Sequence, residues 1–421
     1  MTTTKNNEHK KLNFSSEREQ SQVCLNSAEH EKNQGRKVLN VPNLRFPEFQ
    51  GEWEKCKLGD YGKVITGNTP PTKDVENYEN GEYLWASPAD LGTIKSITET
   101  KTMLSAKGFA KTRTLPKGSV LVTCIGSTIG KTGMATKEMS TNQQINSIVV
   151  NDNNDNEFVY YAIQSAFPRY LSSIAVQAVP IISKSAFELL PNKKPCLQEQ
   201  KRIGKFLSLL DERISTQNKI IEDLKKLKCA IIEKLYYKIQ GKEYLYRQLF
   251  DVVNERNKQM EYSNILSASQ EKGMVNRDDL NLDIQFERSN INTYKIVREG
   301  DYVIHLRSFQ GGFAFSDKLG VCSPAYTILR PNSLLEYGYM SFYFTSQRFI
   351  KSLIIVTYGI RDGRSINVEE WLNMKIVVPS KEYQLHTLNV LKSIDDKIVN
   401  EEMYATCLSN QKQHLLHNMF I

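Results

Sequence analysis

The chain has 421 residues, which is long enough for two or three domains with cores of their own. Its content of 40% hydrophobic and 24% charged residues is typical of a soluble globular protein. The formal net charge of +8 favours a polyanionic partner, although the basic residues are far less dense than in a histone-like tail.

The seven cysteines are scattered and never spaced as C-x-x-C, so they indicate reduced thiols rather than a disulfide framework or a zinc site. His414 and His417 lie one helical turn apart, but nothing completes a ligand set around them, and we predict no metal site. No apolar run approaches the roughly 18 residues of a membrane helix, and the N-terminus lacks a hydrophobic signal core. These patterns predict a cytoplasmic protein that does not span a membrane.

The first part of the chain combines a polar segment with a domain of mixed pattern. Residues 1–40 are charge-mixed and poor in aromatic residues, and we predict a disordered extension there. Over residues 41–195, β-like runs such as KVITG, GEYLWAS, GSVLVTCIG and INSIVV alternate with turn residues, and a helical pattern follows near Phe158 to Leu171. A long helix is predicted over residues 196–240.

The second part repeats this organisation. A domain is predicted over residues 241–380, with strand-like runs NILSAS, GDYVIHL, GVCSPAYTIL and MKIVVP and one helix near Tyr337 to Leu353. A second long helix is predicted over residues 381–421. The fold class is therefore α+β, with two mixed α/β domains in tandem, each followed by a long helix.

Both predicted long helices carry a heptad seam, in which core positions alternate spacings of four and three. The apolar seam positions of the first helix are Ile203, Leu207, Leu210, Ile214, Ile221, Leu224, Ile231 and Leu235. Adding 184 to the residue numbers gives the second seam, whose large apolar residues include Leu391, Ile394, Ile398, Leu408 and Leu415. The polar interruptions recur as well, because Gln217 aligns with Glu401 and Lys228 with Lys412.

The recurrence predicts that the two helices pack against each other, the alternative being that each helix covers its own domain. A tandem duplication of a domain and a helix gives pseudo-twofold symmetry. Such symmetry suits a ligand that presents two sites in succession, as duplex DNA does.

We predict no catalytic centre in the chain. The segment Gly126 to Thr132 resembles a phosphate-binding loop, but it has three residues between its glycines where that motif needs four. A tight turn that brings Lys131 to the surface is the favoured interpretation. Asn68-Thr69-Pro70-Pro71 resembles an amino-methyltransferase motif, but no aromatic residue follows it.

Basic residues in loops are the candidate DNA contacts. The segment from Tyr358 to Ser365 places two arginines between glycines, where guanidinium groups could meet guanine edges or phosphates. Any single basic residue is more often a solvated surface charge than a DNA contact, so the prediction depends on the recurrence of these residues in equivalent loops. The candidates are Lys107, Lys111, Arg113, Lys131, Lys184, Arg298, Arg307, Arg361 and Arg364.

Several segments resemble the specificity (S) subunits of type I restriction-modification systems. The segment from Leu190 to Ile203, with Leu209-Leu210-Asp211, is similar to the start of their central conserved helix. The opening VPNLRFP with Trp53 and Leu58 is similar to how many of them begin, and GSTIGK is similar to a turn of their first target recognition domain. The resemblance covers residues 41–421. It departs at the second helix, which starts with Tyr383-Gln384 where the first has Glu199-Gln200.

The resemblance implies two target recognition domains, each reading one half of a split double-stranded DNA target. It further implies that the two helices form an antiparallel coiled coil, which fixes the unread spacer and binds two methyltransferase subunits. With restriction subunits added, the complex would cleave unmethylated DNA in host defence. S-adenosylmethionine, ATP and Mg²⁺ would be used by those partners, so this chain would not itself be an enzyme.

Two other functions remain possible from the residues. One is a coiled-coil scaffold whose basic domains bind nucleic acid without sequence preference, and competition with random duplex DNA separates it from a sequence reader. The other is a free-standing restriction or modification enzyme with a divergent active site, which would require cleavage or methyl transfer by the purified chain alone.

Overall fold

A computed structural model describes residues 40–92, 94–173, 181–269, 272–279, 288–305, 312–358 and 365–421. The chain divides into two compact units, unit 1 made of Met1–Phe206 with Leu415–Ile421, and unit 2 made of Leu207–His414. Both units combine helices and strands, as predicted for the fold class. The predicted extension over residues 1–40 lies outside the described residues except for its last residue.

The described residues of unit 1 form two sheets and a strand pair. Its strands are β1 (Glu54–Lys57), β2 (Gly62–Thr66), β3 (Tyr83–Ala86), β4 (Ser96–Ile97), β5 (Thr102–Leu104), β6 (Thr114–Leu115), β7 (Val120–Thr123), β8 (Thr132–Ala135), β9 (Met139–Thr141), β10 (Ile145–Val150) and β11 (Pro191–Lys194). The larger sheet has the order β2-β10-β7-β8-β4, the smaller has the order β5-β3-β9-β6, and β1 pairs with β11. The predicted runs KVITG, GEYLWAS, GSVLVTCIG and INSIVV each contain a strand, which confirms these four predictions.

Strand β7, with the sequence VLVT, lies in the interior of the larger sheet between β10 and β8. All four residues of β7 are buried, and Leu121 and Ile145 pack with Leu84 and Met139 of the smaller sheet. The helices of unit 1 are α1 (Ala106–Ala110), α2 (Asn156–Ser173), α3 (Lys184–Glu188) and the first part of α4 (Leu197–Leu235). Helix α2 contacts β7 and β8.

The last residues of the chain complete the core of unit 1. The ring of Phe420 lies 6.1 Å from that of Trp53 and 5.5 Å from that of Phe158, measured between centroids. The backbone amide of Leu44 donates to the Asn418 carbonyl at 2.9 Å. The N-terminal and C-terminal parts of the described chain are therefore packed together inside one unit.

Unit 2 repeats the strand order of unit 1. Its strands are β12 (Lys242–Leu245), β13 (Phe250–Val253), β14 (Leu266–Ser269), β15 (Gly273–Asn276), β16 (Lys295–Val297), β17 (Tyr302–Ile304), β18 (Phe313–Phe315), β19 (Gly320–Cys322), β20 (Thr327–Pro331), β21 (Thr357–Tyr358), β22 (Ser365–Ile366) and β23 (Lys375–Val378). The order β13-β20-β17-β18 corresponds to β2-β10-β7-β8, and the pair β12-β23 corresponds to β1-β11.

The core of unit 2 is rich in aromatic rings. The Trp371 ring stacks on the Tyr246 ring at a centroid distance of 4.3 Å, and Phe313 lies 4.6 Å from Phe344. The helices of unit 2 are the remainder of α4 and α5 (Tyr339–Phe344), α6 (Gln347–Ser352), α7 (Val368–Leu372) and most of α8 (Lys381–Met419). Each unit therefore has a core of its own.

Two predictions for unit 2 were wrong in detail. The single helix expected near Tyr337 to Leu353 is two helices, α5 and α6, because the Ser346 hydroxyl caps α6 by accepting from the Phe349 amide at 3.2 Å. The run GVCSPAYTIL forms two strands, β19 and β20, because a turn closed by the Tyr326 amide and the Ser323 carbonyl at 3.1 Å interrupts it.

The helices α4 and α8 are both 39 residues long and correspond to the two predicted long helices. The large apolar residues of both seams are buried or half-buried, whereas the flanking charged residues Lys205, Glu212, Lys219, Glu222 and Lys226 are exposed. The burial period follows the heptad pattern.

Candidate functional site

The strand order of unit 1 gathers several connections at one end of the larger sheet. Neighbouring strands from β2 to β8 are antiparallel, so β2 and β7 end where β8 and β10 begin. We call the connections at this end, residues 67–70, 124–131 and 142–144, the strand-end surface. Backbone hydrogen bonds hold them together, because the Asn68 amide donates to the carbonyl of Thr141, which immediately precedes residues 142–144, at 2.9 Å and the Cys124 amide donates to the Gln144 carbonyl at 2.8 Å.

The turn between β7 and β8 has the conformation that the sequence predicted. Gly126 and Gly130 have φ of 95° and 92°, in the left-handed region that favours glycine. A Cβ at Gly130 would lie 2.6 Å from Cδ1 of Phe167, so α2 supports the turn closely. Lys131 is exposed at the end of the turn, which confirms that prediction.

Arg113 lies beside the strand-end surface, whereas Lys107 and Lys111 have acidic partners elsewhere. The Arg113 Nη1 atom donates to the carbonyl of Thr66, the last residue of β2, at 2.8 Å. Lys111 binds Asp74 at 2.8 Å, and Lys107 pairs with Glu76. The hydrogen bond from Lys111 lowers the pKa of Asp74 below its usual value.

The remaining candidate cations are dispersed. Lys184 is the first residue of α3 and lies 3.7 Å from Glu188, one turn further along the helix. Arg298 pairs with Glu255 at 3.1 Å, and hydrogen bonds from Arg298 and Arg330 lower the pKa of that carboxyl. Arg307, Arg361 and Arg364 lie outside the described residues, as do residues 177–180 of the loop before Lys184. The structure brings Arg113 and Lys131 to the same end of the sheet, and their role as DNA contacts stays a prediction.

Helices α4 and α8 each have an equivalent glutamine in their first turn, Gln200 in α4 and Gln384 in α8. The residues that precede the two glutamines differ. Gln200 donates through Nε2 to the Pro195 carbonyl at 2.9 Å and accepts through Oε1 from the Asp155 amide at 3.1 Å. Gln384 does the same with Pro379 at 3.1 Å and the Glu336 amide at 2.7 Å. The repeat offset of 184 relates Gln200 to Gln384.

The residues before these glutamines act differently. Glu199 accepts from Nε and Nη2 of Arg45 at 2.8 and 2.7 Å, inside unit 1. Tyr383 instead donates through its hydroxyl to the Leu235 carbonyl at 2.9 Å, inside unit 2. The departure noted in the sequence therefore changes the local partner, whereas the glutamine hydrogen bonds are kept.

Of the polar interruptions of the two seams, Gln217 and Glu401 are partners of one another, whereas the two lysines bind aspartates beside the seam positions. Lys412 binds Asp211 at 2.6 Å, and Lys228 binds Asp395. The Gln217 Nε2 atom donates to the Glu401 carbonyl at 3.2 Å. The residues Asp211, Gln217 and Lys228 follow one another along α4, whereas their partners Lys412, Glu401 and Asp395 occur in the reverse order along α8. Hydrogen bonds from Lys397 and then Gln217 lower the pKa of the Glu401 carboxyl.

Among the described residues, no group of three histidine, cysteine, aspartate or glutamate side chains could hold a metal ion. A search of the same residues found no helix long and apolar enough to cross a membrane.

Comparisons with known proteins agree with the sequence resemblance. Residues 50–226 match the family described as Type I restriction modification DNA specificity domain. The chain is 27% identical over 209 residues to the type I restriction enzyme MjaIX specificity subunit of Methanocaldococcus jannaschii, covering 48% of each chain. It is 30% identical over 186 residues to the HindI specificity subunit of Haemophilus influenzae, covering 42% of this chain and 39% of that one.

A third relative is the EcoR124I/EcoR124II specificity subunit of Escherichia coli, 27% identical over 187 residues that cover 43% of this chain and 45% of that one. The chain thus spans about half or less of the length of the curated relatives it matches. Each of these relatives is named as a specificity subunit, which agrees with the prediction that the chain is not itself an enzyme.

Solved structures share the fold. The S subunit of a type I restriction-modification system from M. genitalium superposes with a TM-score of 0.55 at 16% identity, covering 90% of this chain and 99% of that one. A chain from a structure on complex assembly and conformational transition of the type I R-M system gives a TM-score of 0.57 at 15% identity, covering 87% and 97%. These identities are low, and the likeness concerns the fold.

Proposed function

We propose that the whole chain is the sequence-reading subunit of a type I restriction-modification complex, because residues 50–226 match the type I restriction modification DNA specificity domain. In this proposal each unit reads one half of a bipartite DNA target. The chain carries no active site of its own, and it acts in the cytoplasm.

The observation that carries the proposal is the repetition of one architecture. The sheet order β2-β10-β7-β8 of unit 1 recurs as β13-β20-β17-β18 in unit 2. Glycines with φ of 85° and 93°, Gly118 and Gly300, precede the equivalent strands β7 and β17. Two recognition units of one design suit a target with two separated parts, whereas differences in their loops allow the parts to differ in sequence.

We further propose that α4 and α8 form an antiparallel coiled coil that sets the spacer between the two half-sites. The pairs Lys412–Asp211 and Lys228–Asp395 support this, because they are related by the repeat offset and lie on opposite sides of Gln217. A shift of one helix along the other would break both ion pairs at the same time. Polar groups inside a seam specify the register of a coiled coil in this way.

The same helices offer surfaces for two partner subunits. On α4, Leu209, Ile220 and Leu227 are exposed and lie about three and five turns apart, which places them on one face. On α8, Leu385, Val399 and Met403 are exposed and lie about four and five turns apart. We call each of these two sets of exposed apolar side chains an apolar stripe, and we propose that each stripe binds one methyltransferase subunit.

The cofactors belong to the partners in this proposal. S-adenosylmethionine serves the two adenine methyltransferase subunits, and ATP and Mg²⁺ serve the restriction subunits that join the full complex. This chain contributes the choice of DNA sequence and the assembly of those subunits.

Long-read modification mapping tests the proposal directly. A bacterial host without methylation would express the methyltransferase subunit with and without this chain. We expect a split motif to be methylated only when the chain is present, which would supply both half-sites and the spacer.

The rival functions give different results in the same cells. A sequence-nonspecific scaffold would leave the genome without a methylated motif, although the methyltransferase co-purifies in an active form. An enzyme with its own active site would methylate or cleave DNA when expressed without partners. Either result would overturn the proposal.

A further inference from the structure

The two ends of the larger sheet in unit 1 differ in charge. The strand-end surface, residues 67–70, 124–131 and 142–144, contains no aspartate or glutamate and includes Lys131. The connections at the opposite end, together with the start of α2, contain five carboxylates, Asp60, Glu138, Asp152, Asp155 and Glu157, and two lysines, Lys117 and Lys137. Because duplex DNA carries a dense negative charge, this excess of carboxylates suits it less well than the strand-end surface does.

The strand-end surface is held in place by the sheet beneath it. The Gly67 amide donates to the Ile145 carbonyl at 3.1 Å, and the Ile182 amide donates to the Cys124 carbonyl at 2.8 Å. The connections are therefore short, mutually bonded and based on rigid strands. A surface of this kind loses little conformational entropy when it binds a ligand.

The side chain of Gln143 is exposed on this surface, and the oxygen of its amide group already accepts a hydrogen bond. Its Oε1 atom accepts from the Thr69 hydroxyl at 2.6 Å, a contact between residues 74 positions apart. Among the described residues, no hydrogen bond engages the Nε2 amino group of Gln143. An amide held in this way presents a donor to base edges that carry acceptors, such as those of adenine and guanine in the major groove.

Lys131 is positioned on the same surface by a glycine. A Cβ at Gly92, where φ is 91°, would lie 2.8 Å from Cγ and 2.9 Å from Cδ of Lys131. The backbone at Gly92 thus lies against the aliphatic part of the lysine side chain. Within the described residues Lys131 makes no ion pair, in contrast to Lys107, Lys111 and Lys184.

We infer that the strand-end surface of unit 1 is the face that contacts duplex DNA, with Gln143 reading a base and Lys131 binding a phosphate. Thr69 acts as a positioning residue for Gln143. The inference deepens the proposed function and rests on it, since it names the side chains that read the half-site belonging to unit 1.

The test compares variants in the modification-mapping experiment, using the full chain with its methyltransferase subunit. Gln143→Ala is expected to relax one base position in one half of the motif, with a loss of preference on the order of 10-fold. Gln143→Glu is expected to change the preferred base at that same position, because a carboxylate accepts but does not donate. Thr69→Val should produce the relaxed pattern more weakly.

Lys131→Ala has a different expected signature. It should weaken binding to all duplexes alike and lower the salt dependence of binding by about one phosphate contact, measured on a duplex with the mapped motif at rising KCl. The matched control is Lys117→Ala, an exposed lysine at the opposite end of the same sheet. It should leave both the motif and the salt dependence unchanged.

The outcomes separate this inference from the proposed function. A wild-type chain that directs a split motif, with Gln143→Ala and Gln143→Glu both leaving that motif intact, overturns the inference alone. Equal changes in both halves of the motif also overturn it, since a reading side chain acts on one half. A wild-type chain that directs no motif overturns the proposed function.

Discussion

At the scale of single residues, the first turn of α4 contains one buried carboxylate, that of Glu199. The Glu199 side chain is 1% exposed and binds Arg45, while the Trp53 Nε1 atom donates to it at 3.3 Å. A buried charge without a partner is strongly unfavourable, because it has lost its hydration. Arg45 therefore compensates a charge that attaches the N-terminal segment to the helix.

We predict that Arg45→Met lowers the free energy of unfolding by about 3 kcal/mol, because it leaves the Glu199 carboxylate buried and unbalanced. Arg202→Met is the matched control, since Arg202 is 61% exposed and lies 3.7 Å from Glu48, and it should change stability by less than about 1 kcal/mol. Urea titration followed by tryptophan fluorescence measures both. Equal effects of the two substitutions would show that Glu199 does not depend on its arginine.

Some features of the strand-end surface were predictable from the sequence and others were not. The spacing of Gly126 and Gly130 predicted a turn with Lys131 at the surface, because glycine spacing is a local signal. The contact between Thr69 and Gln143 was not predictable in this way, since it joins residues 74 positions apart through the pairing of β2 with β10. Ion pairs such as Lys111–Asp74 are hidden for the same reason.

At the scale of elements, periodic signals were the most informative. The heptad seam predicted two long helices whose observed bounds, Leu197–Leu235 and Lys381–Met419, fall within the expected ranges. Short elements such as α5 and α6 were predicted less well, because a single capping serine decides where they separate. The sequence also showed that Lys228 and Lys412 correspond, but only the structure gives their partners.

We predict that the two seam lysines contribute unequally. Lys412 and Asp211 are 14% and 16% exposed, whereas Lys228 and Asp395 are 25% and 37% exposed. Lys412→Ala should therefore lower the free energy of unfolding by about 2 kcal/mol. Lys228→Ala should lower it by about 1 kcal/mol, part of which comes from its position over the Phe342 ring.

Urea denaturation followed by far-UV circular dichroism compares the two lysine variants. Exchanging charges within a pair, as in Lys412→Asp with Asp211→Lys, should recover most of the stability lost by Lys412→Asp alone. A larger loss for Lys228→Ala than for Lys412→Ala would contradict the argument from burial.

At the scale of the whole molecule, one design appears twice and its copies have diverged in their loops. The four-strand order and the helix-start glutamine are common to both units. Unit 2 adds the strand pairs β14-β15 and β21-β22, whereas the parallel pairing of β4 with β8 occurs in unit 1. Divergence outside a common framework is expected of units that recognise different sequences.

We predict that the apolar stripes on the two helices each hold one methyltransferase subunit. Leu209→Glu with Ile220→Glu should remove one subunit, and Val399→Glu with Met403→Glu should remove the other, because charges replace apolar contacts. Native mass spectrometry would then show one methyltransferase subunit per chain instead of two.

The control for the stripe variants is Glu222→Ala, at an exposed residue of α4 away from the stripe that pairs with Lys226 at 2.6 Å. It should keep two methyltransferase subunits bound. If both stripe variants also keep two subunits, the stripes are not the docking surfaces.

The place of Phe420 in the core of unit 1 has a consequence for synthesis on the ribosome. Residues Leu415–Ile421 belong to unit 1, but they are translated only after all of Leu207–His414. At elongation rates of about 5 to 20 residues per second that interval lasts roughly 10 to 40 s. Throughout it, Trp53 and Phe158 lack the Phe420 ring that packs against them, so the nascent first unit exposes apolar surface to chaperones and proteases until the finished chain leaves the ribosome.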